Sequence, residues 1–444
     1  MSYENKLKNK KLELILKKTD KMLTDYFDTK KEKFIPNKTT IPLISPSYGK
    51  DEILESFASL LSTWVTMGKK VKTFEEKFAK YTGTKYAIMV NSGSSANLLA
   101  LSILTNPKIS KIQNNSEIIT PAVTWATTVY PMVTNNLIPT FVDVDPETYT
   151  IDVKRVKDAI NKKTSAIMPV HLLGNACDMD KLLKISKNEN LSLIEDACEA
   201  HGCEFNGKKV GSFGDIGTFS FFLSHHITTI EGGMIVTNNE NYYEYAKSMR
   251  AFGWIRELKD KKKISSKFKS IDERFLFTNL GFNMRPTEIQ GAFGIHQIKK
   301  LDSFIKIRRD NAKYWNKRFS GCKDVFILPK ETDNSKHCYF CYPLTIRSDD
   351  IFSRKNITEY LEKKKIQTRP IMAGNMAEQP SVKTYKNKIR GSLKNSELIM
   401  RNGFFFGNHQ DIGQEEREFV ADSIISFVNE KSKPVKVPDI FFSF

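Results

Sequence analysis

From Tyr86 to Thr237 the chain alternates short apolar runs with helical stretches, and this pattern restricts the fold more than any other feature of the sequence. The runs fall at 86–90, 117–120, 138–144, 165–170, 191–195, 217–221 and 233–237. Parallel strands need crossover helices and are covered on both faces, so strands of this kind with helical stretches between them predict an α/β domain built on a largely parallel sheet.

The flanking segments divide the rest of the chain. Residues 1–40 form a lysine-rich extension that reads as an amphipathic helix, with Leu7, Leu12, Leu14, Ile15, Met22 and Leu23 on one loosely apolar side. Pro36, Pro42 and Pro46 break it, and helical stretches at 52–65 and 71–81 make an entry arm. The main domain is expected to occupy 41–310. After Met284-Arg285-Pro286 a helix runs from Ile289 past Leu301 towards Phe319. Residues 311–444 then read as a smaller α+β domain, with a strand at 339–346 and helices at 352–363 and 414–428.

Charge and cysteine usage bear on partners. The formal net charge of +18 could attract a polyanion, but the lysines are spread among acidic residues, crowding only at the amino terminus and at 259–263. A solvated surface is the expectation, with no nucleic acid. No apolar run approaches the ~20 residues that a membrane span needs, and no leader pattern is present, so no membrane is expected and the cytoplasm is the default compartment. Cys177, Cys198, Cys203, Cys322, Cys338 and Cys341 form no regular framework, and free thiols are expected. Cys338 and Cys341 make a CxxC, read here as part of a buried apolar strand rather than a metal or redox site.

Several residues sit where a planar, phosphorylated ligand could be held. Asn91-Ser92-Gly93-Ser94-Ser95-Ala96-Asn97 follows a strand and opens a helix, which suits an anion at a helix N-terminus, although the same residues are ordinary capping chemistry. Asp196 ends a strand at the sheet edge where open α/β folds bind ligands, and its carboxylate can pair with a protonated ring nitrogen. Trp125 can offer a flat face to a ring.

The stretch Gly217-Thr218-Phe219-Ser220-Phe221-Phe222-Leu223-Ser224-His225-His226-Ile227-Thr228-Thr229-Ile230-Glu231-Gly232-Gly233 decides between these readings. It resembles the DegT/DnrJ/EryC1/StrS sugar aminotransferase superfamily of pyridoxal phosphate enzymes, whose cofactor lysine lies in a Ser-Phe-x-x-x-Lys-x-x-x-x-x-Glu-Gly-Gly pattern. Ser220 and Glu231-Gly232-Gly233 match, and the lysine position holds His225. Histidine cannot link covalently to the cofactor aldehyde, whereas an ordinary pKa of ~6.5 suits proton transfer. The replacement resembles the superfamily's 3-dehydratase branch. So do Met67-Gly68-Lys69-Lys70-Val71, Arg250-Ala251-Phe252-Gly253-Trp254, Asn283-Met284-Arg285-Pro286, Arg369-Pro370, Gly374-Asn375 and the segment from Asn402 to Gln410.

The resemblance implies a type I aminotransferase fold and a pyridoxal or pyridoxamine 5′-phosphate cofactor held without a covalent bond. Its phosphate would lie on Ser94, Ser95 and Ser220, its ring against Trp125 and its pyridinium N–H on Asp196, with Glu199 facing it one turn later. Asn283 would reach the neighbouring subunit's cofactor, which implies a homodimer with shared sites; a helix cap is the alternative. His225 is the expected catalytic base, and the adjacent His226 the weaker choice. His226, Arg250, Arg256, Arg369 and His409 are candidate contacts to a nucleotide-sugar substrate or a glutamate donor, with surface salt bridges as the alternative for the arginines. The reaction expected is loss of the C3 hydroxyl from a nucleotide-linked 4-keto-6-deoxy sugar.

Iron-sulfur relatives that share the histidine add a tight cysteine group, and residues 254–282 contain no cysteine, so neither a cluster nor another metal is expected. Three other readings stay open. A sugar 4-aminotransferase needs a lysine in place, and Lys208 and Lys209 are off the motif. A reductive dehydratase needs a partner reductase. A non-catalytic scaffold or nucleic-acid binder is the third.

Overall fold

A computed structural model describes residues 3–28 and 33–432. All seven apolar runs are strands: β1 (Tyr86–Val90), β2 (Glu117–Pro121), β3 (Ile138–Val142), β4 (Thr164–Ile167), β5 (Ser192–Asp196), β6 (Ile216–Ser220) and β7 (Gly233–Thr237). They lie side by side in the order β1-β7-β6-β5-β4-β2-β3. Every pairing is parallel except those of β7, which runs against both β1 and β6. The C-terminal ends of β1, β2, β5 and β6 therefore open on one edge of the sheet.

Alternation along these strands builds two cores. Met89, Ile119, Ile167 and Leu193 point into one, where Phe74, Phe78, Phe219 and Phe221 interlock. Their neighbours Ile88, Ile118, Ala166 and Ile194 point into the other, with Leu99, Ile103 and Met249. Sequential residues feeding opposite clusters is the period-2 geometry of a strand covered on both faces.

The helices in chain order are α1 (Tyr3–Phe27), α2 (Lys50–Ser62), α3 (Lys69–Thr82), α4 (Gly93–Thr105), α5 (Ala126–Thr134), α6 (Val153–Ala159), α7 (Met179–Asn188), α8 (Glu240–Arg250) and α9 (Glu288–Arg318). The amino-terminal extension is α1, tied to α2 by Lys50–Asp20 at 2.9 Å. Leu14, Ile15 and Met22 remain exposed on it. The 31-residue α9 starts at a capping box, in which Thr287 Oγ1 accepts from Gln290 N while the Gln290 side chain accepts from Thr287 N.

A second, antiparallel sheet follows: β8 (Phe326–Ile327), β9 (Tyr342–Ile346), β10 (Thr368–Pro370) and, after β11 (Lys388–Ile389), β12 (Gly403–Phe406), in the order β8-β9-β12-β10. Its core is aromatic, with Trp315 edge-on to Phe406 at 4.9 Å between ring centroids. Several segments link the two sheets. Helix α9 crosses residue 310, Phe34 of the extension and Ile41 pack into the second sheet's core, and β11 pairs parallel with β3 of the large sheet.

One strand prediction needs correction. The run expected at 339–346 begins at Tyr342, because Cys338 N and Phe340 N donate to Gly174 O and Leu173 O at 2.9 and 2.8 Å, and Tyr339 takes a positive φ of 46°. Cys338 and Cys341 thus lie in a buried loop instead of a strand, both as free thiols.

Candidate active site

At the shared strand edge lies a cavity of about 710 Å³. Ser94, Trp125, Asp196, Glu199, Ser220, His225 and Arg369 all line it. Residues more than two hundred positions apart in sequence meet here because each follows or ends a strand of the sheet or a strand of the smaller one.

The loop between β1 and α4 forms an anion cradle. Ser92 caps α4, its Oγ accepting from Ser95 N at 3.1 Å, which leaves the first N–H groups of the helix facing the cavity mouth. Ser220, at the end of β6, presses against this turn so closely that a Cβ on Gly93 would come within 2.4 Å of its own Cβ. A Cβ on Gly233 would meet Ser92 O at 2.1 Å. The glycines are the condition for bringing two hydroxyl-bearing loops together. Ser95 itself does not line the cavity, since its hydroxyl receives a hydrogen bond from Ser92 Oγ at 3.0 Å.

Asp196 is held by hydrogen-bond donors and by no protein cation among the described residues. Its Oδ2 accepts from Asn97 Nδ2 at 2.9 Å and Thr128 Oγ1 at 2.8 Å, and its Oδ1 accepts from Cys198 N at 3.2 Å. Asn97 is in turn fixed by Thr218 Oγ1, which donates to its Oδ1 at 2.6 Å. Among the described residues no lysine, arginine or histidine pairs with Asp196, although it is buried. A buried carboxylate at a cavity wall with neutral donors alone is suited to a ligand N–H⁺.

His225 presents an imidazole to the same space. Burial and the charge of Arg308 push its pKa down to about 3, so the ring is neutral at physiological pH. Its Nδ1 is enclosed and has no protein partner. Glu199 is pushed the other way: burial, with the Asp196 charge adding, raises its carboxyl to about 7, against the pull of the Leu173 N–H that it accepts at 2.8 Å. The site holds a neutral base, a carboxyl bound by neutral donors alone and a second carboxyl poised between states.

Of the other residues singled out from the sequence, Arg250, His226 and His409 lie outside the cavity, and the expectation of substrate contact is corrected for these three. Arg250 is buried and committed to Glu75 at 2.6 Å, Met89 O at 2.7 Å and Glu257 at 3.1 Å, so it is an internal strut. His226 is buried outside the cavity, its Nε2 donating to Cys338 O at 3.1 Å. His409 donates to Pro42 O at 3.1 Å and touches the cavity only by holding the segment whose Leu43 and Ile44 line it. Asn283 and Arg256 share a separate pocket with Trp254, on whose ring Arg256 lies at 4.3 Å. Arg369 does line the main cavity, donates to Thr368 O at 2.8 Å and pairs with no carboxylate among the described residues. Sequence reasoning passed over Asn97 and Thr128, which hold Asp196, Phe340, whose ring centroid is 5.5 Å from that of His225, and Arg308, whose charge acts on His225. Asn97 lay within the quoted motif and carried a signal; Arg308 carried none.

Residues 46–425 match the DegT/DnrJ/EryC1/StrS aminotransferase family. The chain belongs to this family. Within it, the chain is 41% identical over 373 residues to GDP-4-keto-6-deoxy-D-mannose 3-dehydratase of Escherichia coli O55:H7, covering 83% of this chain and 95% of that one. It is 33% identical over 408 residues to the lipopolysaccharide biosynthesis protein RfbH of Salmonella typhimurium, covering 89% and 93%. A solved structure of the E. coli 3-dehydratase with bound hydrated PLP superposes with a TM-score of 0.82 at 39% identity, covering 86% of this chain and 98% of that one. The large parallel sheet with its smaller companion is the PLP-dependent aminotransferase fold of these family members.

Proposed function

We propose that this protein is a pyridoxal phosphate-dependent 3-dehydratase that acts on a nucleotide-linked 4-keto-6-deoxy sugar in the cytoplasm and yields the 4-keto-3,6-dideoxy sugar. The observation that carries the reading is His225, a neutral imidazole in the cavity wall at the position where the family pattern has lysine. The names of similar proteins support the substrate class, GDP-4-keto-6-deoxy-D-mannose being that of the Escherichia coli relative.

The residues fit the cofactor. The α4 N-terminus with Ser94 and Ser220 would hold its phosphate, with Ser95 closing the cap behind them. Trp125 would face its ring, and the cation-free Asp196 would accept its pyridinium N–H. When bound, the group supplies an electron sink that makes C–H cleavage and loss of the adjacent hydroxyl accessible. His225 accepts the proton at Nε2, since Nδ1 is the enclosed nitrogen. Lacking a primary amine, it cannot tether the cofactor or shuttle an amine, which separates this site from a 4-aminotransferase. Glu199, half-protonated near neutrality, can donate a hydrogen bond to a ligand oxygen. Arg369 is free to take a substrate or donor anion.

Overall, the sugar C3 carbon gains two electrons and loses its hydroxyl as water. Glutamate supplies them by oxidation to 2-oxoglutarate with release of ammonia, so no reductase is required. A homodimer accounts for Asn283 and Arg256, whose separate pocket would meet the neighbouring subunit's site. The test is incubation with pyridoxal phosphate, glutamate and a panel of nucleotide 4-keto-6-deoxy sugars. Ammonia and a product with one oxygen fewer are expected. An amino sugar formed without ammonia would replace the reading with transamination, and dependence on added reductase would replace it with reductive dehydration.

A further inference from the structure

Behind His225 five buried polar atoms lie without a protein partner: Nδ1 of His225, both ring nitrogens of His201, Nδ1 of His226 and Nε of Arg308. They belong to one cluster. The His201 ring centroid is 5.9 Å from that of His225 and 5.7 Å from that of His226, and the charge of Arg308 acts on all three rings. Phe219 and Phe221 wall His201 in at 5.6 and 5.4 Å, and the main chain of Ser220 lies beside its ring as a weak acceptor for its N–H. Each polar group so enclosed would cost about 1–3 kcal/mol if left unpaired, and five in one place call for a shared partner.

Four of these five groups balance around one water. His226 donates through Nε2 to Cys338 O, so its Nδ1 is a lone pair. Arg308 Nε is a fixed donor. A neutral His201 offers one donor, which the main chain of Ser220 can take, and one acceptor, which is left for the water. A water that accepts from Arg308 and donates to His226 has one further hydrogen and one further lone pair. Donating that hydrogen to His201 leaves the lone pair for an N–H, and the remaining enclosed nitrogen is Nδ1 of His225. Ring separations near 6 Å leave a gap that direct contact does not close and one molecule can bridge.

We infer that His201 is a positioning residue which, through a water enclosed with His226 and Arg308, keeps the proton of His225 on Nδ1 and so leaves Nε2 as the basic nitrogen. The tautomer of a histidine is set by the partner of its other nitrogen, and here no carboxylate or carbonyl plays that part. The inference rests on His225 being the catalytic base, as proposed above. The titratable and charged groups around the nest are His201, His225, His226 and Arg308, with Cys338 on the adjoining loop and Glu199 on the same cavity.

The experiment is nitrogen-15 NMR of histidine-labelled full-length holoenzyme, paired with turnover across pH. The native protein should show His225 protonated at Nδ1. His201→Phe keeps the ring volume and removes both polar atoms; it should move His225 towards the other tautomer and lower kcat about tenfold with KM little changed. His201→Gln, which retains a donor and an acceptor, should restore most of both. Native His225 protonated at Nε2, or a tautomer unmoved in His201→Phe, would overturn the inference. If His201→Phe does not fold, the native tautomer and His201→Gln still decide it. A shifted tautomer with untouched turnover would uphold the positioning and instead remove His225 as the base.

Discussion

Replacing Glu199 by glutamine isolates the electrostatic strain of the site. The carboxyl has an ordinary value of 4.5 and is raised to about 7 in the folded protein, by burial first and by Asp196 second. The folded state therefore binds the Glu199 proton more tightly than the unfolded chain does. Whatever stability this carboxyl contributes is present in full below pH 4.5 and is lost as pH rises through about 7. Glutamine keeps the oxygen that accepts from Leu173 N and carries no charge, so the variant should match the parent at pH 4 and exceed it at pH 8.5. A shift of this size is worth about 3 kcal/mol at most, and because the side chain borders a solvent-accessible cavity about 2 kcal/mol is the expected gain. For a chain of this length that is a rise of only a few degrees in Tm at high pH.

The assay is thermal unfolding of cofactor-free parent and variant at half-unit steps from pH 4 to 9, read as the difference between the two. Other groups titrate in both proteins and cancel. A difference that is flat across the range would refute the reasoning, because it would mean that the carboxyl titrates alike in the folded and unfolded chain and that neither burial nor Asp196 is felt.

Three further perturbations address the remaining parts of the site. His225→Lys restores a primary amine, so it should capture the cofactor aldehyde covalently, seen as pyridoxal retained through dialysis with a new visible absorption band, and should shift products towards amine transfer. Gly93→Ala forces a Cβ to within 2.4 Å of Ser220 Cβ, and cofactor affinity measured by fluorescence titration should fall at least about tenfold while far-UV dichroism stays unchanged. Arg250→Met leaves Glu75 buried without its cation, which should cost about 3–5 kcal/mol in unfolding experiments with no change in substrate preference; altered selectivity at unchanged stability would return Arg250 to the substrate site.

How much of this was legible in the sequence depends on the range of the interaction. The seven strands of the large sheet could be read because each announces itself within five or so residues, and the Ser92–Ser95 cap because its bond spans three. The 338–341 loop was misread because nothing in its apolar composition reveals that Gly174, far away in sequence, takes the hydrogen bond from Cys338 N. Arg250 and His409 were placed at the substrate for a related reason. An arginine looks the same in a motif whether its guanidinium faces a ligand or a buried Glu75, and only the fold shows which.

The same distinction bears on what one substitution in a conserved-looking frame can accomplish. Ser220, Glu231 and the glycines around them build the cradle by backbone proximity, which is indifferent to the side chain at position 225. An imidazole there keeps the geometry of the site and changes its chemistry, provided it stays neutral and correctly oriented. Burial beside Arg308 secures the first condition, since a guanidinium nearby penalises a second positive charge. The second cannot come from the cavity, whose ligands change during turnover, and must come from behind the ring. That would place the control of His225 in groups contributed by the loop after β6, by the turn after β5 and by α9, so the packing of α9, through Leu301 and Ile305, into the first core becomes part of the catalytic apparatus.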